Sequence, residues 1–138
     1  MKYVKLFLWT IVLIGIDMTS KYIFYNLNYL NETSLIFPVL NKGISRSLPV
    51  PIIVTIIISI VGIGFFLRLF TKKNLWRLPT IFLLAGTTGN LIDRILYWGV
   101  RDFINIGIFN FPIFNLADTM LNIWAAIRII TVLLEKKK

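Results

Sequence analysis

The sequence predicts an all-α integral membrane protein with four transmembrane helices and both termini in the cytoplasm. Three observations predict it. Hydrophobic residues fill 57% of the 138 positions, above the roughly 45–50% usual in a soluble domain, and the mean hydropathy is +0.80. The apolar residues gather in four runs, at 3–25, 50–70, 76–98 and 113–134, each near the ~20 residues a helix needs to cross the hydrocarbon core. Basic residues cluster at Lys2, Lys5, around 68–77, at Arg128 and in the final lysines, which puts both ends and the middle connector on the cytoplasmic side. No internal repeat is evident, and the chain reads as one membrane-embedded domain over 1–138.

Charge and residue usage exclude several classes. A net charge of +9 would suit a nucleic-acid binder, but the cations lie between apolar runs and not along one face, so no nucleic-acid partner is expected. Cysteine and histidine are both absent. That removes disulfides, thiol lipidation, zinc-protease histidine motifs and every nucleophile that depends on a histidine base. Hydrolysis would have to rest on carboxylates, or on a Ser-Lys pair such as Ser45 or Ser47 near Lys42, which nothing in the spacing arranges. No metal and no cofactor is expected.

Taken in order, the run at 3–25 is long and no small-x-small cleavage site follows it, so it reads as a span and not as a signal peptide. Asp17 and Lys21, four apart near its far end, share a helix face with Thr10 and read as a structural ion pair anchoring helix 1. Residues 26–49 are polar with aromatic and β-branched residues and two prolines, a composition suited to a few short strands. The sequon Asn31-Glu32-Thr33 is a match in form only. From Val50 to Leu67 there is no charge, so the second run reads as scaffold. A basic connector at 71–77 leads to the third run, bracketed by Trp76 and Trp98 as interfacial anchors. On it Gly86, Asn90, Asp93 and Arg94 fall at helical spacing and form a polar stripe. Gly99, Gly107 and Pro112 break the next connector. Phe103, Ile104, Ile106, Ile108, Phe109 and Phe111 make it greasy enough to lie at the membrane interface. In the last run Asn115, Asp118 and Asn122 line one face.

Helices 1 and 3 run outward and helix 4 inward. Asp17/Lys21, Asn90/Asp93/Arg94, Asp102 and Asn115/Asp118 therefore converge at one depth, near the extracytoplasmic surface. Carboxylates in oily surroundings are costly, at least ~2.5–3.5 kcal/mol at mid-bilayer, and independent ion pairs have no reason to share a level. A single site has. Two close carboxyl groups do not both ionise easily, so one keeps its proton and the pair acts as general base and acid on a peptide bond through a bound water. Asp102 and Asp118 are the candidates, because the glycines between them let the chain fold back. Asp93 is the third candidate, although Asn90 and Arg94 beside it suggest an orienting role.

Gly89-Asn90-Leu91-Ile92-Asp93-Arg94, Val100-Arg101-Asp102-Phe103-Ile104 and Phe114-Asn115-Leu116-Ala117-Asp118, in this order, resemble the motifs of the lipoprotein signal peptidase (signal peptidase II) family. Asp17-Met18-Thr19-Ser20-Lys21 is similar to its helix 1 motif and Asn41-Lys42-Gly43 to its Asn-x-Gly motif. The resemblance covers nearly the whole chain. It implies an aspartic endopeptidase of the bacterial cytoplasmic (inner) membrane, with its active site near the extracytoplasmic face. The implied substrate is a diacylglyceryl-modified prolipoprotein held among membrane lipid and cut just before the lipidated cysteine of its lipobox, and the implied inhibitor is globomycin. The resemblance assigns catalysis to Asp102 and Asp118. It assigns substrate-binding or supporting roles to Asn41, Gly43, Asn90, Asp93, Arg94 and Asn115, and a small β-rich extracytoplasmic segment to the connector between helices 1 and 2. The family follows Asn-x-Gly with a small residue and an aromatic, where this chain has Ile44-Ser45-Arg46. Two other readings stand beside this one: a small four-span proton-coupled transporter using Asp17, and a catalytically inactive relative.

Overall fold

A computed structural model describes residues 2–27, 35–43, 50–73, 77–108 and 111–136. The sequon at 31–33, Ser45, Arg46, Ser47, Trp76 and Phe109 lie outside the described residues. Among the described residues are four α-helices: α1 (Lys2–Lys21), α2 (Ile52–Lys73), α3 (Arg77–Tyr97) and α4 (Leu116–Glu135). A π-helical turn, Tyr22–Asn26, prolongs α1. Two strands, β1 (Ile36–Asn41) and β2 (Val100–Ile104), pair antiparallel.

Helix α3 is the centre of the bundle and packs against α1, α2 and α4. Two glycines allow its closest approaches. A Cβ on Gly86 would lie 2.5 Å from the carbonyl oxygen of Ala117, and one on Gly89 would lie 2.6 Å from Asp17 Oδ2. Backbone at that distance does not yield, so glycine at 86 lets the start of α4 sit directly on α3. The apolar interior is small. Leu6 and Leu84 are buried with Ile63 and Ile81 packed against them.

The distribution of side chains is inverted relative to a soluble protein. Phe7, Leu8 and Trp9 on α1, Ile57, Ile58 and Val61 on α2, and Ile129, Ile130 and Leu133 on α4 are all exposed, whereas Asp17, Lys21, Asn90, Asp93, Arg101, Asp102 and Asn115 are buried. Apolar surface of that extent needs lipid around it. Among the described residues, Val4–Asn26 and Leu116–Glu135 are long and apolar enough to cross a membrane, and α2 holds a shorter apolar stretch, Ile52–Arg68. Helix α3 carries its polar stripe inward, which lowers its hydropathy without exposing charge to lipid.

The strands depart from the sequence reading, which put β structure only between helices 1 and 2. β1 does come from that connector. Its partner comes from the greasy connector after α3, because the backbone groups of a lone strand have no partners and must find an edge. Trp98, at φ 53, takes the left-handed conformation that ends α3, and the chain turns into β2. The register pairs Val39 with Asp102, Leu40 with Arg101 and Asn41 with Val100, with an irregularity between Ile36 and Val39. Pro38 sits in that irregularity, where its missing N–H costs no ladder bond. Phe114 closes the other edge of β2: the N–H groups of Phe103 and Ile104 both donate to its carbonyl, at 3.1 and 2.8 Å.

Gly86→Ala is expected to lower stability by roughly 1–3 kcal/mol, the range for forced overpacking. Gly62→Ala, whose Cβ would meet nothing within 4 Å, is expected to leave stability unchanged or raise it by up to ~1 kcal/mol. Thermal unfolding of the two variants in detergent checks the pair.

Candidate active site

Strand alternation sorts β2 into two faces. Val100 lines a cavity and Asp102 shares its side of the strand, while Arg101 and Phe103 face the end of α1. On that second face an ion cluster forms. Lys21 Nζ lies 2.7 Å from Asp17 Oδ2 and 3.3 Å from Asp93 Oδ2, all three side chains having no exposure. The guanidinium of Arg101 donates to Asp93 Oδ1 at 2.7 and 3.2 Å, and the backbone N–H of Arg101 donates to Asp93 Oδ2 at 2.9 Å. Asp17 Oδ1 accepts from the N–H of Ala117 at 2.9 Å, which ties α4 to α1. Two carboxylates and two cations make the cluster neutral, the condition under which buried charge is tolerated.

From this cluster a chain of amides runs to the other two carboxylates, and its polarity is determined by groups that only donate. Lys21 Nζ donates to Asn90 Oδ1 at 3.2 Å, so the Asn90 amide presents its NH2 to Asp118 Oδ1, 2.7 Å away. Asn115 caps α4 with Oδ1, which accepts from the N–H of Asp118 at 2.9 Å, while Asp118 Oδ2 accepts from the N–H of Asn115 at 3.4 Å. This reciprocal capping box leaves the Asn115 NH2 to donate to Asn90 Oδ1 at 3.2 Å and to Asp102 Oδ1 at 2.7 Å. Asn41 Oδ1 accepts from the N–H of Gly43 at 3.1 Å, so its NH2 donates to Asp102 Oδ2 at 3.1 Å. Asn41 reaches Asp102 as a diagonal cross-strand neighbour. Every amide thus points a donor at Asp102 or Asp118.

Asp118, Asn41, Asn90, Arg94 and Asn122 line a cavity of about 320 Å³ together with Val100, Phe111, Pro112, Ile113, Phe114 and Leu121. Half of the lining is polar and half greasy. Asp102 lies just behind Asn41, 2% exposed. Its burial, and next the charge of Asp118, push its carboxyl up to about 7, against the opposing pull of the Asn41 and Asn115 donors and of Lys21. One carboxyl beside the cavity therefore keeps its proton up to about pH 7, and a second, that of Asp118, lines the same space.

The structure brings together the polar groups of α1, β1, α3, β2 and α4: Asp17, Lys21, Asn41, Gly43, Asn90, Asp93, Asp102, Asn115 and Asp118 are one connected network. Arg94 lines the cavity, and its guanidinium donates to the Asn90 carbonyl at 3.3 Å. Asp93 does not pair with its neighbour Arg94. Its cations are Arg101 and Lys21, because Arg94 turns to the cavity side. Arg101 is the member of the buried network that the sequence reading passed over. A lone arginine beside Asp102 in a connector rich in phenylalanine and isoleucine was its available signal.

The model for "Signal peptidase (SPase) II" matches residues 9–134. The chain belongs to the signal peptidase II family. Among curated relatives, the lipoprotein signal peptidase of Enterococcus faecalis is 32% identical, with 95% of this chain and 89% of the relative covered. That of Staphylococcus aureus is 36% identical over 94% and 91%. Two solved structures described as a bacterial membrane enzyme superimpose on this chain. One has TM-score 0.80 and 28% identity over 96% of this chain and 89% of its own; the other has 0.76 and 27% over 94% and 92%. Membership of signal peptidase II makes the chain a membrane protein of a peptidase family, and the network described above is what its buried interior is built from.

Lys21→Met leaves Asp17 without a cation and Asp93 with only one. Removing one partner of a buried pair costs about 3–5 kcal/mol, and a drop of that size is expected in detergent unfolding. Asp17→Asn/Lys21→Met restores neutrality, since Arg101 still balances Asp93, and is expected to recover most of the loss.

Proposed function

We propose that this chain is an aspartic endopeptidase that removes the signal peptide from diacylglyceryl-modified prolipoproteins, cutting just before the lipidated cysteine. The observation that carries the reading is the pair Asp102 and Asp118, joined through Asn115 and Asn90 at one half-greasy cavity. Family membership and relatives called lipoprotein signal peptidase support the substrate class.

In the reaction we propose, Asp118 is the base and Asp102 the acid. Asp118 takes a proton from a water, and the hydroxyl attacks the scissile carbonyl while the proton of Asp102 passes to the carbonyl oxygen. The resulting diol collapses. Its hydroxyl proton returns to Asp102, and the proton held by Asp118 goes to the leaving amine. Asn41 both lines the cavity and donates to Asp102, so its amide holds the Asp102 carboxyl at the cavity's edge. Asn115 and Asn90 hold the two carboxyl groups, Gly43 fixes the Asn41 amide, Asp93 anchors β2, and Arg94 offers donors to substrate carbonyls.

The four helices are proposed to span the bacterial cytoplasmic (inner) membrane as one peptidase domain with both termini in the cytoplasm. The sheet and the site then lie near the extracytoplasmic face, where the lipidated cysteine keeps its acyl chains. Phe111, Ile113, Phe114 and Leu121 give those chains and the surrounding lipid an apolar wall, and globomycin competes for the same cavity.

The test is cleavage of a diacylglyceryl-modified prolipoprotein by the purified protein in detergent. The parent is expected to cleave, and Asp102→Asn and Asp118→Asn each to lose at least ~10²–10⁴-fold. A folded parent that does not cleave overturns the reading, and activity surviving either substitution removes that carboxylate from the pair. The pH profile is a second check. Asp102 must be protonated to act as acid. Because burial raises its carboxyl to about 7, the proton stays on below that pH and is lost above it, so kcat/KM is expected to fall as pH rises through about 7. A rate that stays level between pH 6 and pH 9 contradicts this assignment.

A further inference from the structure

We infer that Arg101 is a positioning residue, which holds the strand carrying Asp102 in register by clamping it between Asp93 on α3 and the π-helical turn at the end of α1. The inference rests on the hydrolytic reading above and adds a residue to it. Arg101 is 3% exposed, although it lies outside the helices and has no part in the cavity.

Its five donors are placed with care. Two nitrogens on one edge of the guanidinium, Nε and Nη2, converge on Asp93 Oδ1, an approach that the fixed fork of arginine supplies and lysine does not. The remaining nitrogen donates to Asn26 Oδ1 at 2.6 Å, and a weaker contact runs to the Met18 sulfur at 3.8 Å. The face of the group lies 4.2 Å from the centre of the Tyr97 ring. Asn26 is the last residue of the π-helical turn. An insertion of this kind re-aims side chains, and here it also sets Phe24 against Phe103, with ring centres 5.2 Å apart. The residues on both sides of Asp102 are therefore gripped by the same turn, while Asp102 itself projects the other way. The backbone N–H of Arg101 adds a third bond to Asp93. Asp102 has no such fixture of its own besides two asparagine amides.

Arg101 also closes the charge of the cluster. Asp17 and Asp93 are matched by Lys21 and Arg101. The charged and titratable groups around Asp102 are Asp118 on α4, Asp93 and Arg94 on α3, Lys21 and Asp17 on α1, Tyr25 in the π-helical turn, and Arg101 on its own strand. β1 presents the uncharged Asn41, and the adjoining Lys42 is exposed. Without Arg101 one negative charge stands unmatched behind Asp102, which makes its ionised form harder to reach.

The test compares Arg101→Met, Arg101→Lys and Asp93→Asn/Arg101→Met with the parent in cleavage of a diacylglyceryl-modified prolipoprotein. For Arg101→Met the expectation is kcat lower by about 100-fold, the effect of misplacing a reacting group by ~1 Å, with KM little changed and the alkaline limb of the pH profile moved to higher pH. Arg101→Lys keeps the charge but not the fork, so kcat is expected between those of parent and Met variant, with the limb where the parent has it. The neutral double variant is expected to return the limb to the parent position while kcat stays low. A residue that only stabilises the fold moves neither kcat nor the limb in the protein that remains folded, and that result for Arg101→Met overturns the inference alone. If Arg101→Met does not fold, an Arg101→Lys variant with the parent's kcat overturns it. A parent that does not cleave overturns the hydrolytic reading and this one with it.

Discussion

The polarity of this bundle is referred to one ammonium group. Lys21 has three protons to donate and nothing to accept with, and it faces three acceptors on two helices: Asp17, Asp93 and Asn90. Because it is wholly buried, none of those contacts can be exchanged for water. The orientation of Asn90 follows from it, and through Asn90 the acceptor role of Asp118. The capping box at the start of α4 and the turn at Gly43 impose the same direction on Asn115 and Asn41 from the other side. A network whose every amide is oriented by a fixed donor has one arrangement, and it is the arrangement that surrounds two carboxyl groups with NH donors.

Helix packing and site geometry are therefore not separable here. Asp17 holds the N–H of Ala117 at the first turn of α4, Gly89 makes the room that Asp17 occupies, and Gly86 lets α4 lie close enough for both. Neutral charge in the interior is what permits the exterior to be largely apolar on α1, α2 and α4. The carboxylate that a proton-coupled carrier would need, Asp17, is closed off by Lys21 and has no exposure. Among the described residues, a space open to a ligand lies instead at Asp118, with greasy side chains from β2, α4 and the segment before α4 in its lining. That mixture suits a substrate with a peptide bond and acyl chains a short distance apart.

The parts of this that were legible in the sequence are those encoded locally. Spacing of four put Asp17 and Lys21 on one face, helical periodicity put Asn90 and Asp93 on one stripe, and the absence of histidine and cysteine left the carboxyl groups of Asp102, Asp118 and Asp93 as the main candidates for hydrolytic chemistry. What was not legible depends on pairing across the chain. Val100–Ile104 looks like a greasy loop until Ile36–Asn41 supplies the other edge. The cation of Asp93 could not be chosen between Arg94 and Arg101 by spacing, because the left-handed turn at Trp98 decides which of them comes back to face α1. The direction of each asparagine amide has no signature in sequence at all. It emerges only once the fixed donors around it are located.

In the proposed reaction the proton of the pair belongs to Asp102, whose carboxyl burial raises to about 7. Infrared difference spectroscopy of the protein in lipid measures this directly through the carbonyl stretch of a protonated carboxyl group. The account predicts such a band at pH 6 that fades as pH rises through about 7 and is missing from Asp102→Asn. A band that persists in Asp102→Asn and disappears in Asp118→Asn would contradict it, since the proton would then sit on the wrong partner of the pair.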